Sequence, residues 1–443
     1  MKKFGIAAVA VIAAVVVYLV AFGGNKLREE AKNQLNQELL ALKQNGFDVE
    51  DRQSDTNNDH FILKVQDPKK IAAYLTTQGT PVSSEDIEPL KGMKVGADVS
   101  YLKDTYSALS VDLYPVKLPD SLYQNAEDAQ DKALLDQIQT MLDAKKVLVH
   151  IDIAKNFRDF KGYLKDIDQT FKAEDSLTLQ IKGLTFNGKV EKERVALLEQ
   201  KLQQIRLADD KGGEIILHTM DSRHTMTGPS LYDMETIYRV AEIRMKQEGA
   251  YSGEIKGIEI NTSEKVTGNL LKSSVKSAIK TLHIQAEKES LTLNTLQWDA
   301  MIENIDVTAL EAIQKLDPEK EARAFEEAVT QLFSQKITLT LHDFSIKHIE
   351  ENGSTLGGLS LSAKVALDQN APMALTQQNP LLLLNALDAE MTLKLSDTLF
   401  AMIAKDPRAM MMVMLIPPKE EQGTKRYQVI IKHGKTTVNG ISL

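Results

Sequence analysis

The sequence contains no cysteine. Disulfide frameworks, thiolate metal sites and cysteine nucleophiles are thereby excluded, and a chain without thiols suits an oxidising compartment. Aromatic residues are scarce, 5% of the chain with a single tryptophan, so platforms for stacking bases or sugars are few. Basic residues are outnumbered, 53 Lys and Arg against 62 Asp and Glu. No basic block offsets the net charge of −9, and nucleic acid is not an expected partner. Nor is there a Walker loop, a Gly-x-Gly-x-x-Gly, a Gly-x-Ser-x-Gly or a His-Glu-x-x-His; the local signatures of nucleotide, hydrolase and zinc-protease chemistry are missing.

What is present is apolar mass, 43% of 443 residues, enough for a sizeable core in one long body or two to three domains. One run stands apart. In "MKKFGIAAVAVIAAVVVYLVAFGGNK" no charge falls between Lys3 and Lys26, and Phe4 to Phe22 is almost wholly apolar. As a helix that run spans about 28 Å, close to the thickness of a bilayer core. Lys2 and Lys3 would face the cytoplasm, with Tyr18 and Phe22 at the far interface. The expectation is a membrane anchor over residues 1–24, a single pass through a bacterial inner membrane, and the bulk of the chain in the periplasm. A cleaved signal peptide, with Ala21 and Gly23 before the cut, is the competing reading, although the apolar run exceeds the roughly 7–15 residues of a signal core.

Residues 25–146 read as a stalk helix and an N-terminal α+β region. Leu27, Ala31, Leu35, Leu39 and Leu42 share one helical face, and either pack on the domain or pair two copies as a short coiled-coil homodimer. Asp48 to Asp59 reads as a loop, "HFILKV" as a strand, and Asp67-Pro68 as a helix start. Asp120 to Lys146 has a helical stripe of Ala129, Ala133, Ile138, Met141 and Leu142. From Val147 to Leu443 strands alternate, interrupted by expected helices at Glu191–Ile205, Leu231–Glu248, Val307–Lys315 and 318–333. The predicted class is α+β: an N-terminal transmembrane helix, then an elongated, curved, mostly antiparallel sheet with covering helices.

Three segments repeat one arrangement: "LTLHDFSI", "LTLNTLQW" and "LTLQIKGLTF". The apolar positions are Leu339, Leu341, Phe344 and Ile346 in the first, and Leu291, Leu293, Leu296 and Trp298 in the second. A strand alternates with period two, yet the middle step is three, which would turn the second pair to the wrong face. A bulge or bend at that step restores the direction, and Gly183 can supply it in the third copy. Leu291, Leu293, Trp298, Leu339, Leu341, Phe344 and Ile346 are therefore candidates for an apolar groove on one sheet face.

Catalytic constellations are weaker. His218 and His224, like His342 and His348, are six apart, and Asp343 or Glu350 could join the second pair on a metal, but the histidine count falls short of a zinc cluster. Ser273/Lys276 and Ser277/Lys280 form Ser-x-x-Lys on an expected helix, without the companion elements of serine acyltransferases. Met402, Met410, Met411, Met412 and Met414 could hold soft copper, yet their Ala, Val, Leu and Ile neighbours describe an adaptable apolar surface. No catalytic residue, metal or cofactor is assigned.

At "MIENIDVTALEAIQKL" the chain resembles the YdgA-like family of bacterial envelope proteins, through Asn304, Ile305, Asp306, Ala309 and Leu310. "KITLTLHDFSIKH", "GGLSLSAKVAL", "AEMTLKLSDTLFAMI" and "YQVIIKHGKTTVNGISL" follow in the same order. The resemblance is best from Val147 to Leu443. It implies an inner-membrane anchor, a large periplasmic domain and no established catalytic residue. The expected function is a non-enzymatic envelope protein that offers an apolar sheet face to a lipid, a lipoprotein or another envelope partner. The alternative is a periplasmic hydrolase using His342 or the Ser-x-x-Lys pairs.

Overall fold

A computed structural model describes residues 28–442 except 78–81, 102–104, 127, 173–174, 192–193, 317–320, 368–384 and 433. Chain contacts divide the protein into two units, parted between Met226 and Thr227.

In the first unit the strands are β1 (Phe47–Ser54), β2 (Asn58–Val65), β3 (Lys94–Tyr101), β4 (Ser107–Lys117), β5 (Val149–Ala154), β6 (Asp159–Leu164), β7 (Ile167–Phe171), β8 (Leu177–Lys182), β9 (Thr185–Glu191), β10 (Arg194–Asp209) and β11 (Gly213–Met226). β1 to β6 pair in sequence, all antiparallel, and β6 then pairs β9. β8 and β9 lie end to end along one edge of β10, with β7 outside β8 and β11 on the other edge. Alternation in "HFILKV" buries Phe61, Leu63 and Val65. The Arg28–Gln44 helix lays Leu35, Leu39 and Leu42 on the same core, which places the expected stalk helix against the domain. Asp48 to Ser54, expected as a loop, is strand β1 with a register shift between Glu50 and Gln53.

The second unit holds β12 (Met234–Gln247), β13 (Tyr251–Thr267), β14 (Leu270–Ala286), β15 (Glu289–Asp306), β16 (Thr338–Glu351), β17 (Ser354–Leu367), β18 (Leu387–Ser396), β19 (Lys419–Glu421), β20 (Thr424–Lys432), β21 (Lys435–Val438) and β22 (Ile441–Ser442). β12 through β18 pair with successive neighbours, and β20 pairs β18, β19 and β21. Helices occupy Val307–Lys315, Ala322–Phe333, Asp397–Ile403 and Pro407–Leu415. Ser396 caps the Asp397–Ile403 helix, its Oγ accepting from Leu399 N–H at 3.3 Å.

Two expected helices, Glu191–Ile205 and Leu231–Glu248, are instead the strands β10 and β12. On β12 Tyr238, Val240, Ile243 and Met245 repeat the step of three inside a period of two. That spacing overlaps the helical one, and the ladder partners of β12, not its local preference, fix the strand.

The expectation of an α+β fold opening on a transmembrane helix is corrected. Antiparallel sheet makes up most of the described chain, and none of its helices is long and apolar enough to cross a membrane. The Phe4–Phe22 run and the rest of the 1–24 anchor lie outside the described residues. The placement as a single-pass inner-membrane protein with a periplasmic bulk rested on that helix and is withdrawn with it.

Candidate functional site

Directly paired residues on antiparallel strands project to the same face, so the register of the second unit assembles the face row by row. One row runs Val240, Ile258, Ile279, Leu296, Ile346, Leu359 and Leu395 from β12 to β18. The next runs Tyr238, Ile260, Ser277, Trp298, Phe344, Leu361 and Leu393, with Tyr427 of β20 beyond it. A third carries Thr262, Val275, Ala300, Leu341, Ala363, Met391 and Val429. A fourth includes Ile302, Leu339, Val365 and Ala389. The face is apolar from strand to strand.

The bend expected between Leu341 and Phe344 is present. The β15–β16 register shifts between Asp299 and Ala300, and the β16–β17 register shifts between Leu341 and Phe344. His342 and Asp343 form the bulge, which returns Leu339, Leu341, Phe344 and Ile346 to one face. In "LTLNTLQW" the device differs. Thr295 takes φ +55°, and Leu291 and Leu293 then pack with Leu296 in one cluster. Gly183 at φ +66° plays that part in the first unit, between β8 and β9.

These reversals line up. Gly257 lies level with Lys280, and Lys280 with Thr295, because the flanking pairs Ile258–Ile279 and Ile279–Leu296 bracket them. Left-handed residues therefore recur on alternate strands: Gly257 (φ +62°) on β13, Thr295 on β15 and Gly357 (φ +77°) on β17. The result is a crease across the sheet that leaves the apolar face continuous on both sides.

Part of this face is covered. Ile346, Ile349 and Leu395 are buried beneath Leu399 of the Asp397–Ile403 helix, with Leu291, Leu293, Phe400 and Met402 around them. Elsewhere it is open: Leu339 is 49% exposed, Trp298 48%, Tyr238 40% and Met391 39%. The opposite face is solvated and ion-paired across neighbouring strands, with Lys276 on Asp299 at 3.1 Å, Lys272 on Glu303 at 3.0 Å and Arg244 on Glu254 at 3.4 Å. All seven groove candidates thus belong to one half-covered apolar face. Leu291, Leu293 and Ile346 lie in its covered part, whereas Trp298 and Leu339 lie in the open part.

The alternative sites do not assemble. Ser273, Lys276, Ser277 and Lys280 are on β14, not on a helix. Ser273 pairs Ile302 on the apolar side, while Lys276 pairs Asp299 on the charged side. His342 and His348 are exposed, and His224 is half-buried, its imidazole pushed below the ordinary value by desolvation. Among the described residues no three His, Asp or Glu side chains are grouped to hold a metal ion. Met402 packs beneath its helix, whereas Met410, Met411 and Met414 stand exposed on the next.

Sequence reasoning missed a polar row in the first unit. Asp98 lies 2.6 Å from His60 Nδ1 and accepts from Tyr114 Oη at 3.0 Å and Lys145 Nζ at 2.9 Å. Burial raises its carboxyl, but the hydrogen bonds from Lys145, His60 and Tyr114 hold it below the usual range. His150 repeats the contact on Asp112 at 2.6 Å and stacks on Tyr163. His60, Asp98, Asp112 and His150 are joined by strand register across long sequence separations, and no local motif announces them.

Fold and face together define a β-rich protein built on an amphipathic antiparallel sheet. The bacterial family of unknown function DUF945 matches residues 123–440, most of the chain and every row of the apolar face, and the protein belongs to it. No curated protein and no solved structure matches the chain.

Proposed function

We propose that this chain is a non-enzymatic binding protein whose open face, from β12 to β18 and β20, holds the hydrocarbon chain of a lipid or of a lipidated protein. The observation that supports this most strongly is the run of apolar rows with Trp298 and Leu339 half exposed at their centre. Burying an acyl chain is worth about 0.8 kcal/mol per methylene, so a dozen methylenes contribute on the order of 10 kcal/mol before ordering costs. A folded protein partner would draw on about one hydrogen bond per 100–200 Å² of interface. The central rows offer little beyond the hydroxyls of Ser277 and Thr262, with those of Tyr238 and Tyr427 at the ends of one row, whereas a hydrocarbon needs no directional partner.

The sole tryptophan makes the face its own reporter. Titrating the full chain with a bromine-labelled fatty acid should quench Trp298 emission, and native mass spectrometry of the purified chain should retain lipid. Leu341→Asp and Phe344→Asp should abolish the quenching while circular dichroism is unchanged. Unaltered Trp298 emission together with a lipid-free mass would sink the reading.

A further inference from the structure

The Pro407–Leu415 helix reverses the usual order of a surface helix. At 100° per residue, Met410, Met414, Met411 and Leu415 fall on one continuous arc, and that arc faces solvent: they are 55%, 77%, 62% and 70% exposed. Ala409 and Val413, on the other side, are the partly buried positions. A helix resting on a globular surface puts its polar residues outward, so this arc is an unpartnered apolar surface. Its margin is cationic. Arg408 borders the arc and Lys405 precedes the helix, both exposed. The nearby acid Asp406 is engaged as the helix cap, accepting from Arg408 N–H at 2.8 Å and Ala409 N–H at 3.3 Å.

We infer that this helix docks on an anionic lipid surface, with the methionines and Leu415 entering the acyl boundary while Arg408 and Lys405 meet the headgroups. An outward apolar arc beside cations is the pattern of helices that lie in a bilayer interface. Flexible, unbranched methionine suits a partner without fixed shape. A second copy of the chain is the poorer fit. Four side chains on one short helix fall well short of the about 800 Å² per partner that a stable complex buries, and Arg408 would meet its own like charge across a symmetric contact. The inference goes beyond the reading of the sheet face and rests on separate residues.

The absence of cysteine allows a direct test. Met411→Cys and Met414→Cys, each in the full chain and labelled with an environment-sensitive fluorophore, are mixed with vesicles of phosphatidylcholine containing phosphatidylglycerol. The label should shift to the blue and be quenched by nitroxide-bearing lipid at least threefold more than a label at Lys364→Cys on the charged sheet face. Arg408→Glu should weaken that quenching, and removing the phosphatidylglycerol should do the same. Equal quenching at positions 411 and 364 would overturn the inference. So would a blue shift that appears without vesicles and grows with protein concentration, which would assign the arc to self-association. Trp298 quenching by brominated fatty acid is read separately, so the sheet-face proposal can fail while this one stands, or the reverse.

Discussion

Asp306 shows how much one side chain can organise. It ends β15, caps the Val307–Lys315 helix by accepting from Ala309 N–H at 2.9 Å, and also receives Asn269 Nδ2 at 3.0 Å and Gln331 Nε2 at 3.3 Å. It is 7% exposed. Asp306→Ala removes a cap and leaves the buried Ala309 N–H without its acceptor, and should cost about 1–2 kcal/mol, read from the urea midpoint. The helix at Val307–Lys315 was legible in the sequence; the long-range donors to Asp306 were not, because they are placed by packing. Glu264 offers a second test. It pairs Ser273 and Met234 at the margin of the apolar face, and burial pushes its carboxyl above the usual range. A raised folded value favours the protonated form, so the stability it adds is full below the unfolded value of about 4.3 and is lost as pH rises through the raised value. Glu264→Gln should therefore raise the urea midpoint at about pH 7 and leave it nearly unchanged at about pH 3.

At the scale of the element, the crease explains both what the sequence revealed and what it hid. Where the step of three fell between residues with strong strand preference, as in "LTLNTLQW", the bend was readable. Where the same step fell among Glu, Gln, Lys and Arg, as in β10 and β12, it imitated a helix. Distinguishing the two requires the neighbouring strand, which no local window contains. The crease also makes opposite predictions for two substitutions. Thr295 is an L-residue held left-handed at a cost of about 1–2 kcal/mol, so Thr295→Gly should stabilise by roughly 0.5–1 kcal/mol once glycine's added entropy is subtracted. At Gly257 a β-carbon would sit 2.6 Å from Lys280 Cδ, on backbone at φ +62°. Gly257→Val should destabilise by about 2 kcal/mol or more, and differential thermal melting of the two variants would show the opposite signs.

For the molecule as a whole, the sequence disclosed a curved antiparallel sheet with one apolar face, while its division at Met226 had no signature of composition or linker. A ligand held by that face must stabilise the folded chain by mass action. At a free lipid concentration of about 100 times Kd the gain is about 2.7 kcal/mol. Phe344→Asp should remove the lipid-dependent rise in Tm by scanning calorimetry; a rise that survived the substitution would place the ligand elsewhere. The crease carries one more consequence. Its left-handed residues fall on every second strand, at Gly257, Thr295 and Gly357, so the smallest unit that preserves both faces is a strand pair rather than a strand. Length is then a free variable of this architecture. Duplicating β13 and β14 in tandem should insert one more bent hairpin and widen the sheet by about 10 Å, whereas inserting a single strand would reverse the direction of every strand that follows.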